Sequence, residues 1–278
     1  MKTRLNPLSS LVRWALACAT LGLLSACGGG GSDGDDAQRQ YPAAAPAALS
    51  GPVAGHVDRL QEVRARLGLA PLSWDGRLAQ AAQSHADYLT RHSAVGHAED
   101  PALAGFTGAG YWERANRAGY ARAMGETIIH GNATTYEEGR SYLDALLYSP
   151  GHRAYLLASD LDEFGVGGIP LTTVLGRSGN HLRRVAVTFP FDGQENVYTS
   201  VILSLSGSLA GRVVVSSFQL RDRATGADVA VQPWPNEGTG AVLFKPEQQL
   251  AFGTWYDATV TGTVDGVTVQ KTVAFKTN

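Results

Sequence analysis

Ser149-Pro150-Gly151-His152-Arg153, followed by Phe164-Gly165-Val166-Gly167, is the stretch on which the fold of this 278-residue chain turns. Ser149 is a residue type that caps helices and Pro150 is favoured at the first helical position, so the phrase predicts a helix with His152 in its first turn. There the helix dipole disfavours an imidazolium, and a neutral imidazole can bind a metal or accept a proton. Two upstream phrases supply partners: His97 in Gly96-His97, and Glu126 in Met124-Gly125-Glu126-Thr127-Ile128. Separations of 29 and 26 residues put the three groups on different elements. A compact zinc-protease motif, by contrast, sets its two histidines one helical turn apart.

Upstream of this phrase the pattern is helical. Val57, Leu60, Val63 and Leu67 share a face and Gly68 stands where a helix would end; Leu78, Ala81, Ala82, His85 and Leu89 form a second face. Thr135-Tyr136-Glu137-Glu138 has the spacing of a capping box, and Tyr142, Leu143, Leu146 and Leu147 follow at core-facing intervals. After Asp160 the chain turns to β-type segments at Phe164 to Ile169, Leu171 to Leu175 and Arg183 to Phe189. Helices followed by a short antiparallel sheet predict an α+β layered domain. From about Phe191 onward only β signals remain: Val197 to Leu205, Arg212 to Arg221, Ala241 to Phe244, and Trp255 to Val264 joined to Val267 to Lys276 by Asp265-Gly266. Asp-Gly fits a two-residue primed hairpin turn, and about ninety residues of short strands suggest an immunoglobulin-like sandwich.

The amino terminus carries Lys2, Arg4 and Arg13 before an apolar stretch from Trp14 to Leu24, which reads as a secretion signal too short for a membrane-spanning helix. Leu24-Ser25-Ala26-Cys27 is similar to the lipobox of bacterial lipoproteins. That resemblance implies cleavage after residue 26, lipid on Cys27 and attachment to the bilayer; Gly28, where inner-membrane retention would use Asp, favours the outer membrane. An incidental cysteine in an ordinary signal is the alternative. Residues 27–52, poor in large apolar groups, then read as the lipidated cysteine and a flexible tether. Cys18 would leave with the signal, so the folded part would contain no disulfide and no cysteine–metal site. Loss of Lys2, Arg4 and Arg13 leaves 20 basic against 25 acidic residues, near −5, without basic blocks, and nucleic-acid binding is not expected.

Taken in order, Gly68-Leu69-Ala70-Pro71-Leu72-Ser73-Trp74-Asp75, His85-Ala86-Asp87, Gly96-His97, Arg117-Ala118-Gly119-Tyr120, Gly125-Glu126, Ser149 to Arg153 and Phe164 to Gly167 resemble the bacterial branch of the CAP superfamily of cysteine-rich secretory, antigen 5 and pathogenesis-related proteins. The resemblance implies an α-β-α sandwich over residues 53–190 whose cleft carries His97, Glu126 and His152. A second glutamate common in eukaryotic members falls near Ser149 here, and Leu146 stands where a tryptophan is frequent. Residues 191–278, through Phe189-Pro190-Phe191-Asp192-Gly193-Gln194, Lys245-Pro246, Gly253-Thr254-Trp255-Tyr256 and Phe275-Lys276-Thr277, are similar to an immunoglobulin-like module found after bacterial CAP domains.

Three functions follow as expectations for an envelope lipoprotein, on the periplasmic or the surface face. One is binding of a small molecule, lipid or glycan in the cleft, with or without a divalent metal such as zinc on His97, His152 and Glu126. Another is a metal-assisted hydrolase in which Glu126 ligates the ion or activates water. The last is an adhesin whose cleft is vestigial. Among the remaining candidates, His85 and His92 read as core or cleft-edge histidines, and His130 reaches Glu126 only if that segment is helical. Arg153 reads as the partner of Asp160 or Asp162, and Phe106, Tyr111 and Trp112 as either a groove border or a core cover.

Overall fold

The computed structural model describes residues 45–46, 48–179, 185–236 and 240–278; the segment read as a secretion signal, Cys27 and most of the segment read as a tether lie outside the described residues. The first layer pairs α1 (Gly51–Arg66) with α4 (Tyr136–Tyr148), and α5 (Pro150–Leu156) follows α4 directly. Gly68 takes a positive φ just past α1. The Thr135/Glu138 capping box forms at the start of α4, an arrangement that contributes on the order of 1 kcal/mol to a helix.

A four-stranded sheet lies behind this layer in the order β1 (Ser73–Trp74), β3 (Glu163–Val166), β4 (Leu171–Gly176) and β2 (Ala123–Ile129). Alternation along β4 divides the layers. Leu171 and Leu175 pack with Val57, Leu60, Leu143 and Leu147 of the first helical layer, and Val174 packs with Leu78, Ala81 and Ala82 of α2 (Gly76–His92). The third layer is completed by α3 (Tyr111–Arg117), which contacts α2 and β2. Phe164-Gly165-Val166-Gly167 has a steric explanation: a Cβ at Gly165 would sit 2.0 Å from the Ala79 nitrogen, and one at Gly167 would sit 2.4 Å from that of Gln83. Only glycine lets α2 lie this close on β3.

Beyond residue 185 the described chain is all β. One sheet runs β10 (Val231–Trp234), β11 (Val242–Pro246), β7 (Leu203–Ser206), β5 (Val187–Phe189); the other runs β6 (Gln194–Val197), β13 (Val267–Thr277), β12 (Trp255–Val264), β8 (Val213–Asp222), β9 (Asp228–Val229). Leu205 packs with Val260 and Val264, and Phe218 stacks on Phe244 at 4.1 Å, so the two sheets close as a β-sandwich. The molecule is α+β with a carboxy-terminal β-sandwich. The β12–β13 hairpin turns at Asp265-Gly266 with φ of 54° and 81°, the primed geometry predicted from the dipeptide.

Several elements differ from the sequence reading. The strand anticipated at Arg183 to Phe189 was assigned to the first sheet, yet Val187–Phe189 pairs with β7 of the sandwich; residues 180–184 lie outside the described ones. Side-chain alternation identifies a strand but says nothing of its partner. The single strand read over Val197 to Leu205 is two, β6 on one sheet and β7 on the other, separated at Thr199-Ser200. Tyr111 and Trp112, read only as a groove border or a core cover, open a helix, and β1, β2, β9 and β10 were not anticipated.

Arg153 is also placed differently. It is fully buried and among the described residues meets no carboxylate: it donates to the Leu147 carbonyl (2.8 Å) and the Ile202 carbonyl (3.0 Å), with its guanidinium 4.2 Å from the Phe189 ring centre. Asp160 pairs with Arg177, and Asp162 accepts from Ser178. Burial drops the Arg153 guanidinium to about 9. Arg153 thus fastens α5 to the sandwich, and one apolar cluster runs from Val57 to Phe275 across both parts.

Candidate functional site

The site is assembled around β2, an edge strand with a different layer on each side. A Cβ at Gly125 would lie 2.2 Å from the Tyr155 ring, so glycine admits α5 against one face of the strand. Glu126 points to the other face, where its side chain is 0% exposed. Both of its oxygens accept from Arg114 Nη2 of α3, each at 2.9 Å, and Oε1 also meets His97 Nδ1 at 3.0 Å. Arg114 Nη2 further donates to the His97 carbonyl at 3.1 Å, which fixes the loop that carries the histidine. His152, at the third position of α5, brings its ring centre to 6.2 Å from that of His97. The three residues anticipated from the sequence therefore converge.

A second buried shell supports them. His85 on α2 is fully buried, with Nδ1 at 2.9 Å from Glu99 Oε1 and Nε2 at 3.2 Å from the Gly96 carbonyl and 3.9 Å from Glu126 Oε1. Glu99 accepts from the backbone of Thr107 (2.6 Å) and Gly108 (3.3 Å). Both shells hold the Gly96-His97 loop. Arg114 and Glu99 were not found from sequence, because each is an isolated charge whose carboxylate, guanidinium or imidazole partners lie 12 or more residues away, with no periodicity to mark them. His85, read as a core or cleft-edge histidine, is the link between the shells.

His97 keeps 51% of its side chain exposed, and His152 is half-buried. Burial first, and the neighbouring His97 second, hold the His152 imidazole below its ordinary value. Ser149 occupies the cap position before Pro150 with extended backbone, but its hydroxyl makes no cap bond; the Arg153 N–H bonds the Ser149 carbonyl instead. His92 bonds the Ala104 carbonyl at 2.7 Å, apart from the cleft. His130 follows β2 and is exposed; in extended chain four residues span roughly 13 Å, out of reach of Glu126. Tyr111 donates to the Met124 carbonyl and Trp112 stays 52% exposed beside it.

The donor set decides how a metal would sit. Glu126 is sealed from solvent and committed to a guanidinium, so it does not fit as a ligand, and among the described residues no three His, Cys, Asp or Glu groups are disposed to hold an ion together. The two imidazoles do fit. Rings sharing one zinc through nitrogens at about 2.1 Å bring their centres to about 5–6 Å, close to the observed separation.

An α-β-α layered domain with paired histidines over a buried glutamate is the class that this fold and site define. Residues 57–169 match the model of the cysteine-rich secretory protein family, CAP, and this segment of the chain is a CAP domain. No curated protein matches the chain. Among solved structures, an extracellular protein containing an SCP domain from Bacillus anthracis str. Ames aligns at 25% identity over 46% of this chain and 40% of its own, with a TM-score of 0.40. This chain thus spans less than half of that protein. An outer surface protein from Borrelia burgdorferi aligns at 20% identity over 44% and 88%, TM-score 0.35, and CopC from Methylosinus trichosporium OB3b at 17% over 34% and 94%, TM-score 0.28.

Proposed function

We propose that this chain is an envelope lipoprotein, anchored through Cys27 in the outer membrane, whose CAP domain binds a ligand non-catalytically at His97 and His152. The observation that carries the reading is the pairing of His97 Nδ1 with Glu126 while the rings of His97 and His152 lie with their centres 6.2 Å apart and their planes tilted by 55°. Glu126 and Arg114 make a fixed buried base for the site, and His97 rises from it with one nitrogen committed. The second nitrogen and the His152 ring remain as hydrogen-bonding groups that hold no charge when neutral. Glu126, sealed from solvent and paired with Arg114, is poorly placed to be the water-activating base that the hydrolase reading assigns to it.

The same bond favours one more specific reading. Metal-ligating histidines commonly turn their other nitrogen to a carboxylate, as His97 does to Glu126. His97 and His152 would hold a divalent cation and Glu126 would orient the first of them. Such an ion supplies Lewis acidity to an oxygen of a bound ligand. We further read the sandwich as immunoglobulin-like, since sheets β10-β11-β7-β5 and β6-β13-β12-β8-β9 follow the alternation of the D-E-B-A and G-F-C strands of that fold. It would hold the CAP domain away from the membrane.

Zinc titration of the purified protein tests the site. One equivalent should bind per chain, and His97→Ala/His152→Ala should take up none while keeping its far-UV circular dichroism. A wild type that takes up no zinc, together with unchanged capture of envelope extract components by the double variant, would remove the histidine cleft as the binding site.

A further inference from the structure

A cavity of about 390 Å³ lies at the seam between α1, α4 and the sandwich, and it shares no residue with the histidine cleft. Tyr198, 49% exposed, stacks on Tyr148 with ring centres 4.1 Å apart and planes at 26°. One face of Tyr198 lies on Tyr148, and the half-exposed ring is part of the cavity lining. Around this aromatic wall stand Arg59, Asp144, Glu195 and Asn196. Arg59 Nε meets Asp144 Oδ1 at 2.8 Å, which sets a planar donor fork beside a planar acceptor. Asn196 is held at φ of 58°, a left-handed backbone that costs free energy for a non-glycine, and its carbonyl accepts from the Tyr148 hydroxyl at 3.3 Å.

This combination selects one chemical class. Positive Arg59 and Arg66 are balanced by Asp144 and Glu195, so a strongly anionic or cationic ligand meets repulsion from one pair or the other. A wholly apolar ligand would leave these polar groups without partners. A neutral molecule rich in hydroxyls satisfies both requirements: each hydroxyl is donor and acceptor at once, and a pyranose ring lays its C–H face on an aromatic ring. We propose that the seam is a saccharide-binding site, with Tyr198 as the stacking platform and the Arg59–Asp144 pair as the hydroxyl fork. Its volume falls within the range of ordinary ligand pockets and suits a unit of one or two sugars. Both walls belong to different parts of the molecule, so a bound saccharide would also brace the sandwich against α4.

Isothermal titration and saturation-transfer NMR of the purified protein with chitotriose, cellotriose and maltotriose test the assignment. At least one should bind saturably. Tyr198→Ala should weaken it about tenfold and Tyr198→Phe less than about twofold, as expected for loss or retention of an aromatic face. Asp144→Asn, on the half-exposed wall, should weaken it severalfold and serves as the second readout should Tyr198→Ala fail to fold. His97→Ala/His152→Ala should bind the sugar as the wild type does, which separates this site from the cleft. Absence of saturable binding for all three sugars, equal binding by folded Tyr198→Ala and Asp144→Asn, or loss of binding in the histidine variant would each overturn the proposal.

Discussion

The layered domain and the β-sandwich are comparable in their apolar packing and differ in what else they bury. Residues 51–176 enclose His56, Arg64, His85, Glu99, Arg114, Glu126, Arg153 and Asp162, whereas the buried polar groups described in the sandwich are the hydroxyls of Thr188, Thr199, Ser204, Ser206, Ser208 and Thr277. Among its described residues the ion pairs Arg221–Asp228 and Arg223–Asp257 stay at the surface. Removing a charge from water costs several kcal/mol unless partners compensate, so buried charge accumulates where it does something that apolar packing cannot. In the layered domain that task is fixing loops: Arg114 and Glu99 hold the His97 loop, and Arg64 holds the carbonyls of Ala70, Leu156, Ala158 and Leu161 behind α5. In the sandwich the corresponding loop contacts come from more exposed charges, as where Asp265 accepts from the Ser208 hydroxyl and the Arg212 backbone.

Breaking the Arg114–Glu126 pair should give the largest effect. Arg114→Met takes the guanidinium away from the sealed Glu126 carboxyl, and should destabilise by about 3–5 kcal/mol in urea unfolding monitored by circular dichroism. Adding Glu126→Gln removes the orphaned carboxyl and should recover much of that loss. A cost below about 1 kcal/mol for Arg114→Met would mean that the buried network does not distinguish the two regions.

The next effect is pH-dependent and again belongs to the layered domain. His56 on α1 is fully buried, bonds Thr173 Oγ1 at 2.9 Å, and is pushed by burial from an ordinary 6.5 down to about 4. Its folded form prefers neutrality. Above pH 6.5 both states are neutral and nothing is lost; as pH falls from about 6.5 to about 4 only the unfolded chain takes up the proton, and stability drops by about 3 kcal/mol in total. In His56→Gln this part of the slope should vanish. A wild-type stability that is flat between pH 7 and pH 4, relative to His56→Gln, would contradict it.

Legibility follows the same division. Where a feature depends on neighbours in sequence it could be read: the Thr135/Glu138 capping box, the Asp265-Gly266 turn, and the helix opened by Pro150. The convergence of His97, Glu126 and His152 was legible only through a resemblance, since their spacing places them on separate elements. The Arg114–Glu126 pair, the Arg153 link to Ile202 and the transfer of β5 to the sandwich were not legible. Each depends on which surfaces meet after folding, and an isolated arginine looks alike in sequence whether it ends in solvent or in a core. Ser149 shows the limit from the other side. Its type and position are those of a cap, yet the backbone alone closes the turn.

The smallest effect is expected on the sandwich surface, and it sharpens the comparison most directly because its geometry rivals that of the buried pair. Arg223 binds Asp257 through Nε at 3.0 Å and Nη2 at 2.6 Å and lies over Trp255, so by contact distances alone it should match Arg114. Its surroundings differ. Both partners are partly exposed, water competes for every donor, and salt screens the charges. Arg223→Ala should therefore move the melting temperature by no more than about 3 °C, and 1 M sodium chloride should shrink even that shift. A loss as large as that of Arg114→Met would make bond geometry, and not desolvation, the term that sets the two regions apart.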